Sequence, residues 1–307
     1  MKAAKATIRA ERSLAARRLV DADRESQEAI ETWTMTDGLY SAAGLKAVAL
    51  RAAVLSALGR TSERAALLDP ILERLTAPTN GMRDQVKKCD HLLRELAQQS
   101  LFEEALVLSD HVVAEEQDGD PRNVAKTLEY SSYLLEELER FDDAWPQVLK
   151  SLELFEQTSG PDSGDVYRVL RRAGQVAYHR DDVEESERLL DREYEMRTHG
   201  RYEDPLAHRW LWTLAESKAR LDKFDEAVAL YEQALPGLKD EYGVESVGYL
   251  NASTVYAYSL SQVGRLDEAL ERQDRNVAAW AHCYGEHSEE VSLARGWRER
   301  MEDEQSV

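Results

Sequence analysis

Cysteine is nearly absent from this 307-residue chain: there are two, Cys89 and Cys283, 194 positions apart. They make no disulfide framework, and the expected home is a reducing cytoplasm. Long apolar runs are missing as well. No stretch approaches the roughly 20 apolar residues that a membrane span needs, and the opening MKAAKATIRAERSL has no apolar core for a secretory signal. Cations are scarce, with 39 Lys+Arg against 59 Asp+Glu and a net charge of −20. That balance favours solubility and argues against general affinity for nucleic acid or an anionic membrane. The sequence holds no GxSxG, HExxH, P-loop or dinucleotide fingerprint. It also lacks any long alternating β-branched run that would signal a sheet. The expectation is an all-α protein, not an enzyme, with no catalytic residues and no cofactor.

What the chain does have is a recurring phrase. It reads FEEA at 102–105, FDDA at 141–144, VEES at 183–186, FDEA at 224–227 and LDEA at 266–269, so its last residues are spaced 39, 42, 41 and 42. A degenerate copy lies around Arg64. Glycines at 119, 160, 200, 243 and 285 keep a second register, spaced 41, 40, 43 and 42. Two unrelated punctuation marks with one period define a repeat. Between them the pattern is helical: in VYRVLRRAGQVAYHR at 166–180, Leu170, Ala173, Gly174 and Ala177 follow the i, i+3, i+4, i+7 spacing of a buried stripe. Asp142, Asp182 and Asp225 stand at the expected start of each second helix, where a carboxylate caps free N–H groups.

A small residue preceded by aromatic–acid–acid resembles the tetratricopeptide repeat. The period of about 41, against the usual 34, is similar to the long repeats of kinesin light chains and their bacterial relatives. The resemblance implies a right-handed superhelical solenoid of antiparallel helix pairs. HEAT-like pairs, which share the period, are the alternative that the FDEA phrase disfavours. The expected layout of residues 1–307 is a single α-solenoid. It has a divergent helical pair or cap at 1–44, six repeats at 45–285, and a closing helix and tail at 286–307. Arg64, where the motif wants a small residue, should loosen its unit. Pro70 should kink its helix, and Pro236-Gly237 should shorten another.

Placed on that resemblance, one stripe of each first helix lines a groove. The first position of the stripe, the second of each repeat, reads Lys46, Lys87, Lys126, Arg168, Arg209 and Asn251. A cation near a helix N-terminus opposes the macrodipole, so helix stability alone does not account for five in succession. Further cations on the stripe are Arg94, Arg171, Arg172 and Arg220. Over the four central units eight cations face the acids Asp90, Glu129, Glu137 and Glu216. Tyr130, Tyr133, His179 and Trp212 are interleaved, with Gln175, Asn251, Tyr258 and Gln262 as polar donors. Arginine forks suit carboxylates, and flat aromatics add contact area at low entropic cost.

The resulting expectation is an adaptor or scaffold that binds a protein or peptide segment, acidic and with an aromatic anchor. The kinesin light chain resemblance points the same way, because those arrays bind acidic, aromatic-containing peptides. A carboxylate clamp is disfavoured, since Arg172 and Gln175 stand where it places asparagines. Two alternatives stay open. Each cation could pair with an acid of a neighbouring unit, leaving the surface self-compensated, or the array could be a sensor whose small ligand or peptide controls a downstream partner. His282, Cys283 and His287 lie close together, but no second cluster completes a metal site. Cys89 falls on the packing stripe and reads as a small buried hydrophobe. The basic segment at 1–20 is expected to pack on the acidic surface of the next helices. Oligomeric state is not encoded in any of these patterns.

Overall fold

The structure, a computed structural model, describes residues 2–36, 38–77, 82–116, 120–200 and 202–304. Among the described residues there are fifteen helices and no strand. They divide into two compact units, Met1–Gly160 and Pro161–Val307, where the sequence reading treats the array as one domain. The first unit holds α1 (Lys2–Ala15), α2 (Leu19–Met35), α3 (Ala42–Ala57), α4 (Thr61–Thr76), α5 (Met82–Gln98), α6 (Phe102–Glu116), α7 (Pro121–Glu137) and α8 (Phe141–Ser159). The second holds α9 (Gly164–His179), α10 (Val183–Thr198), α11 (Ala207–Arg220), α12 (Phe224–Tyr242), α13 (Val247–Gln262), α14 (Leu266–Tyr284) and α15 (Glu289–Glu304). Each unit is an all-α repeat array in which successive helices pair through short turns.

The recurring phrase earns its period by packing. Ala105, Ala144, Ala227 and Ala269 are completely buried at the first turn of the second helices, where a larger side chain would force the pair apart. Ser186, the exception, is equally buried, and its hydroxyl meets the Ser217 hydroxyl at 3.1 Å. Its polarity is therefore satisfied by the next unit. Arg64 is the other exception. Too long to be buried there, it turns out to Glu104 at 3.3 Å, and α3 packs at least as extensively on α5 as on its hairpin partner α4.

The turn that joins each pair also recurs. A residue in the left-handed region stands at Gly59, Ser100, Glu139, Asp181, Asp222 and Gly264. At the other register mark, Gly160, Gly243 and Gly285 combine φ of 88, 82 and 90° with ψ of 153, 157 and 151°. That conformation is essentially confined to glycine. The serine three residues later then opens the next helix: Ser163, Ser246 and Ser288 accept from Val166, Tyr249 and Val291 at 3.2–3.3 Å. Gly119, the first mark of this register, lies outside the described residues.

Several local expectations need correction. Asp182 does accept from the Glu185 N–H at 3.4 Å, but the cap positions of α8 and α12 are Arg140 and Lys223, without a side-chain cap. Asp142 and Asp225 sit in the first turn, where an anion still suits the dipole. Pro236 does not shorten α12, which runs 19 residues, as long as α8 and α14. α4 runs through Pro70, the position where the sequence expects a kink, as one helix. Both prolines are exposed, so the carbonyl each leaves without its helical donor faces water. Gly237 serves packing instead: a Cβ there would come within 2.5 Å of His208 Cγ on α11.

At the N-terminus, α1 packs on α2 through Ala6 and Ala29, and Arg9 reaches Glu25 and Glu28 at 3.4 and 2.8 Å. No helix among the described residues is long and apolar enough to cross a membrane.

Candidate functional site

In the first unit the stripe falls on α5 and α7. Arg94 is held by Asp90 through two hydrogen bonds of 2.9 and 3.1 Å and lies 5.0 Å from the centre of the Tyr130 ring. The Asp90 hydrogen bonds hold the Arg94 guanidinium above its ordinary pKa. Tyr130 and Tyr133 lean on each other at 5.6 Å, and Phe102 meets Tyr133 edge-on. Lys87 and Lys126 are exposed, with no ion pair among the described residues. Lys46, one unit earlier, pairs with Glu11 of α1 at 3.1 Å.

In the second unit the stripe falls on α9, α11 and α13, and its arginines are engaged. Arg168 pairs with Asp165 one turn back at 3.4 Å. Arg171 binds Asp204 of the loop before α11 and lies between the Tyr167 and Trp210 rings, 4.8 and 5.2 Å from their centres. The Trp210 indole N–H donates to the same Asp204 at 3.0 Å. Arg209 and His208 share Glu241, at the far end of α12. Arg220 pairs with Asp181 in the turn after α9. Arg172 is half-buried and also makes contacts of its own.

The expectation of a cationic surplus is thereby revised. Asp165, Asp181, Asp204 and Glu241 lie off the stripe, and these four acids cancel the surplus of four that the stripe's own residues show. Asp165 is one helical turn from Arg168, but the other three acids come from an interhelix loop, a turn and a helix end, which helical spacing does not place beside their arginines.

What the stripe does present is flat and amphipathic. Gln175 and Tyr258 are half-buried, while His179 and Asn251 are exposed. Tyr258 packs edge-on against Phe224 and Trp297, with Arg300 over its ring at 5.2 Å. Trp212 is half-buried, and its Nε1 lies beside the Glu216 carboxyl without a well-shaped hydrogen bond. Burial lifts the Glu216 carboxyl above the usual range, against the pull of the Tyr178 hydroxyl and of Arg220. Tyr231 closes this cluster from α12, its hydroxyl wholly buried and lifted by the same loss of solvent.

A further ionic cluster of the second unit lies off the stripe. Lys218, on the buried side of α11, reaches Glu187, Asp191 and Glu226 at 2.7–2.8 Å. Burial would depress its pKa, but the three carboxylates hold it above the ordinary value. Cys89 is fully buried, donates to the Leu75 carbonyl at 3.3 Å, and has its thiol pushed up to about 11 by burial. It is a packing residue rather than a thiolate nucleophile.

Sequence reasoning passed over the second helices. α12, α13 and α14 surround a surface pocket of about 320 Å³, lined among others by Lys239, Arg272, Arg275 and Asn276. The signal was present in LERQDRN at 270–276, but only first helices were weighed for ligand contacts.

Hairpins joined by one recurring turn, with a small buried residue at each crossing, define a repeat protein of stacked helix pairs. Residues 206–279, spanning α11 to α14, match the family model for the tetratricopeptide repeat. A repeat array from Podosopora anserina assigned to the kinesin light chains has 17% identity and a TM-score of 0.50, covering 67% of this chain and 99% of that one. BtubC (BKLC) from P. vanneervenii has 17% identity and a TM-score of 0.52, over 74% and 92%. No curated protein matches the sequence. Residues 206–279 thus match the tetratricopeptide repeat, and the likeness to these solved structures shows the same fold, an array of stacked helix pairs with long repeats.

Proposed function

We propose that the chain is a non-catalytic adaptor or scaffold that holds a segment of a partner protein on the α9–α11–α13 stripe. The observation behind this reading is the strip of partly exposed aromatic and amide groups, Gln175, His179, Trp212, Asn251 and Tyr258, framed by arginines already oriented by carboxylates. Repeat folds of this type serve protein–protein contact far more than catalysis, which needs a water-excluding site with tuned groups. Flat, rigid side chains make good anchors because little entropy is lost when they are covered.

An acidic residue of the partner enters by exchange, taking Arg168, Arg171, Arg209 or Arg220 from the internal acid that now holds it. Attraction between net charges then contributes little, and selectivity comes from the fork geometry of the arginine. The matching stripe of the first unit, with Lys87, Arg94, Lys126, Tyr130 and Tyr133, is read in the same way and by itself.

The test is a photo-crosslinking residue at His179 or Asn251, both exposed, with crosslinked peptides identified by mass spectrometry. The reading expects one recurrent partner segment from these positions and none from Glu271 on α14. Crosslinks confined to Glu271 would place the contact on the second helices and remove this proposal. A second reading, a sensor of a small ligand, is favoured by one specific feature, the α12–α14 pocket.

A further inference from the structure

The arginines of the α9–α11–α13 stripe are occupied, so cations left for a ligand in the second unit lie off that stripe. Two surface pockets allow the question to be asked. The first, of about 490 Å³ in the first unit, is lined by Arg24, Arg51 and Arg60 together with Asp23, Glu28, Glu31 and Glu63. Its cations are consumed internally: Arg51 and Arg60 both grip Asp23, Arg60 also takes Glu63, and Arg24 pairs with Asp21. With acids in excess, it offers an anion nothing.

The second pocket, between α12, α13 and α14, has the opposite balance. Lys239, Arg272 and Arg275 line it against one acid, Glu245. Lys239 has no ion pair or side-chain hydrogen bond among the described residues. Arg272 has no carboxylate partner either; it reaches Ser253 Oγ at 3.4 Å and lies 4.6 Å from the centre of the Tyr256 ring. Arg275 pairs only with Glu271 on its own helix, and both side chains of that pair are about two-thirds exposed. Glu245, half-exposed at the pocket, lies 3.9 Å from the His282 ring.

The walls are built rather than incidental. Ser253 and Asn276 also line the pocket, exposed by 1% and 3%. The Asn276 amide is fixed by hydrogen bonds with Thr254 and Gln273, while the Ser253 hydroxyl proton goes to no acceptor among the described residues. Val244, Tyr249, Leu250 and Ala279 supply an apolar side. In a chain with a net charge of −20, two cations without an ion-pair contact among the described residues, beside one loosely engaged cation, give this pocket a positive lining. The volume is that of a small-molecule site, at the low end of the usual range.

We propose that this pocket binds a small organic phosphate monoester with an apolar or aromatic body. Lys239 and Arg272 face the dianion, Arg275 joins by leaving Glu271, and the Ser253 hydroxyl donates to a phosphate oxygen. Tyr249, Leu250 and Val244 cover the organic part. A dianion fits better than a carboxylate because more than one unneutralised cation faces the same space, and each charge-assisted hydrogen bond is stronger than a neutral one. The site is separate from the α9–α11–α13 stripe and stands whether or not that stripe binds a partner.

The test is calorimetric titration of the full chain with phenyl phosphate, inorganic phosphate and benzoate at constant ionic strength. Phenyl phosphate should bind more tightly than either of the others. Lys239→Gln, an exposed position with no contact to lose, should weaken binding by roughly tenfold, the equivalent of one charge-assisted contact. Arg272→Gln should weaken it at least as much. Inorganic phosphate binding as tightly as phenyl phosphate would remove the organic part of the proposal, and benzoate binding more tightly would replace phosphate by carboxylate. An unchanged Kd in Lys239→Gln, or no heat from any of the three at about 10 mM, well above the affinities of typical small-molecule sites, would overturn it.

Discussion

Two groups of arginines in this molecule read alike in the sequence and behave oppositely in the structure. Arg51 of α3 is 5% exposed, with its guanidinium on Asp23 and Ser26. Arg272 of α14 is partly exposed and finds only a hydroxyl and a ring. The first group is part of the fold, because an arginine that cannot reach water must be given its counter-charge by the chain. The second has no such ion pair, and it is the group that the proposed phosphate site uses.

Substitutions that remove one cation at a time sharpen that contrast. The largest effect is expected at Lys218, where Lys218→Met would leave the Glu187 carboxylate, 11% exposed, to Lys223 alone, and Asp191 and Glu226 in mutual repulsion. Loss of one partner of a buried ion group costs about 3 kcal/mol or more, which urea unfolding would read directly. Arg51→Met should cost about 2–3 kcal/mol, slightly less because Asp23 keeps Arg60 and is a third exposed. Arg272→Met should cost about 1 kcal/mol or less, the worth of a half-exposed cation–π contact. Lys239→Gln should lie within about 0.5 kcal/mol of the wild type. If Arg272→Met proved as damaging as Arg51→Met, the pocket cations would be structural after all.

Acidic groups of the second unit show a parallel contrast in their pH dependence. Burial opposes ionisation of Glu187, but hydrogen bonds from Lys218 and Lys223 outweigh it and hold its carboxyl below the ordinary 4.5. Its contribution is present above pH 4.5 and is lost as pH falls through the lowered value. Glu216 behaves the other way, its carboxyl raised by burial. The folded state then holds the proton more tightly than the unfolded one, so stability falls as pH rises from 4.5 towards the raised value. Glu216→Gln should remove that loss, making the protein more stable than wild type at pH 8 and little different at pH 4.5. Thermal unfolding at the two pH values checks it.

How much of this was legible in the sequence follows from what is local and what is not. The helix pairs, the buried small residue and the glycine turns are encoded by neighbours within one repeat, and Ala144, Ala227 and Gly243 show them directly. The serine caps at Ser163, Ser246 and Ser288 were equally local and went unread. Acid–base partners are different. Arg171 meets Asp204 and Arg209 meets Glu241 across 33 and 32 residues, distances shorter than one repeat, which periodic counting does not reveal. The sequence pattern left open whether each cation had a neighbour; the structure supplies those neighbours for most of the stripe. Lys239 and Arg272 were invisible for another reason: a free cation is defined by missing neighbours, which only the packed helices can show.

The central contrast can be measured in one labelling experiment, with phenylglyoxal modification of arginines followed by peptide mass spectrometry. Arg272 should react much faster than Arg51 and Arg171, and phenyl phosphate should protect Arg272 while leaving the slow pair unchanged. Equal reactivity of all three, or an Arg272 indifferent to phenyl phosphate, would contradict the division between cations that belong to the fold and cations kept for a ligand.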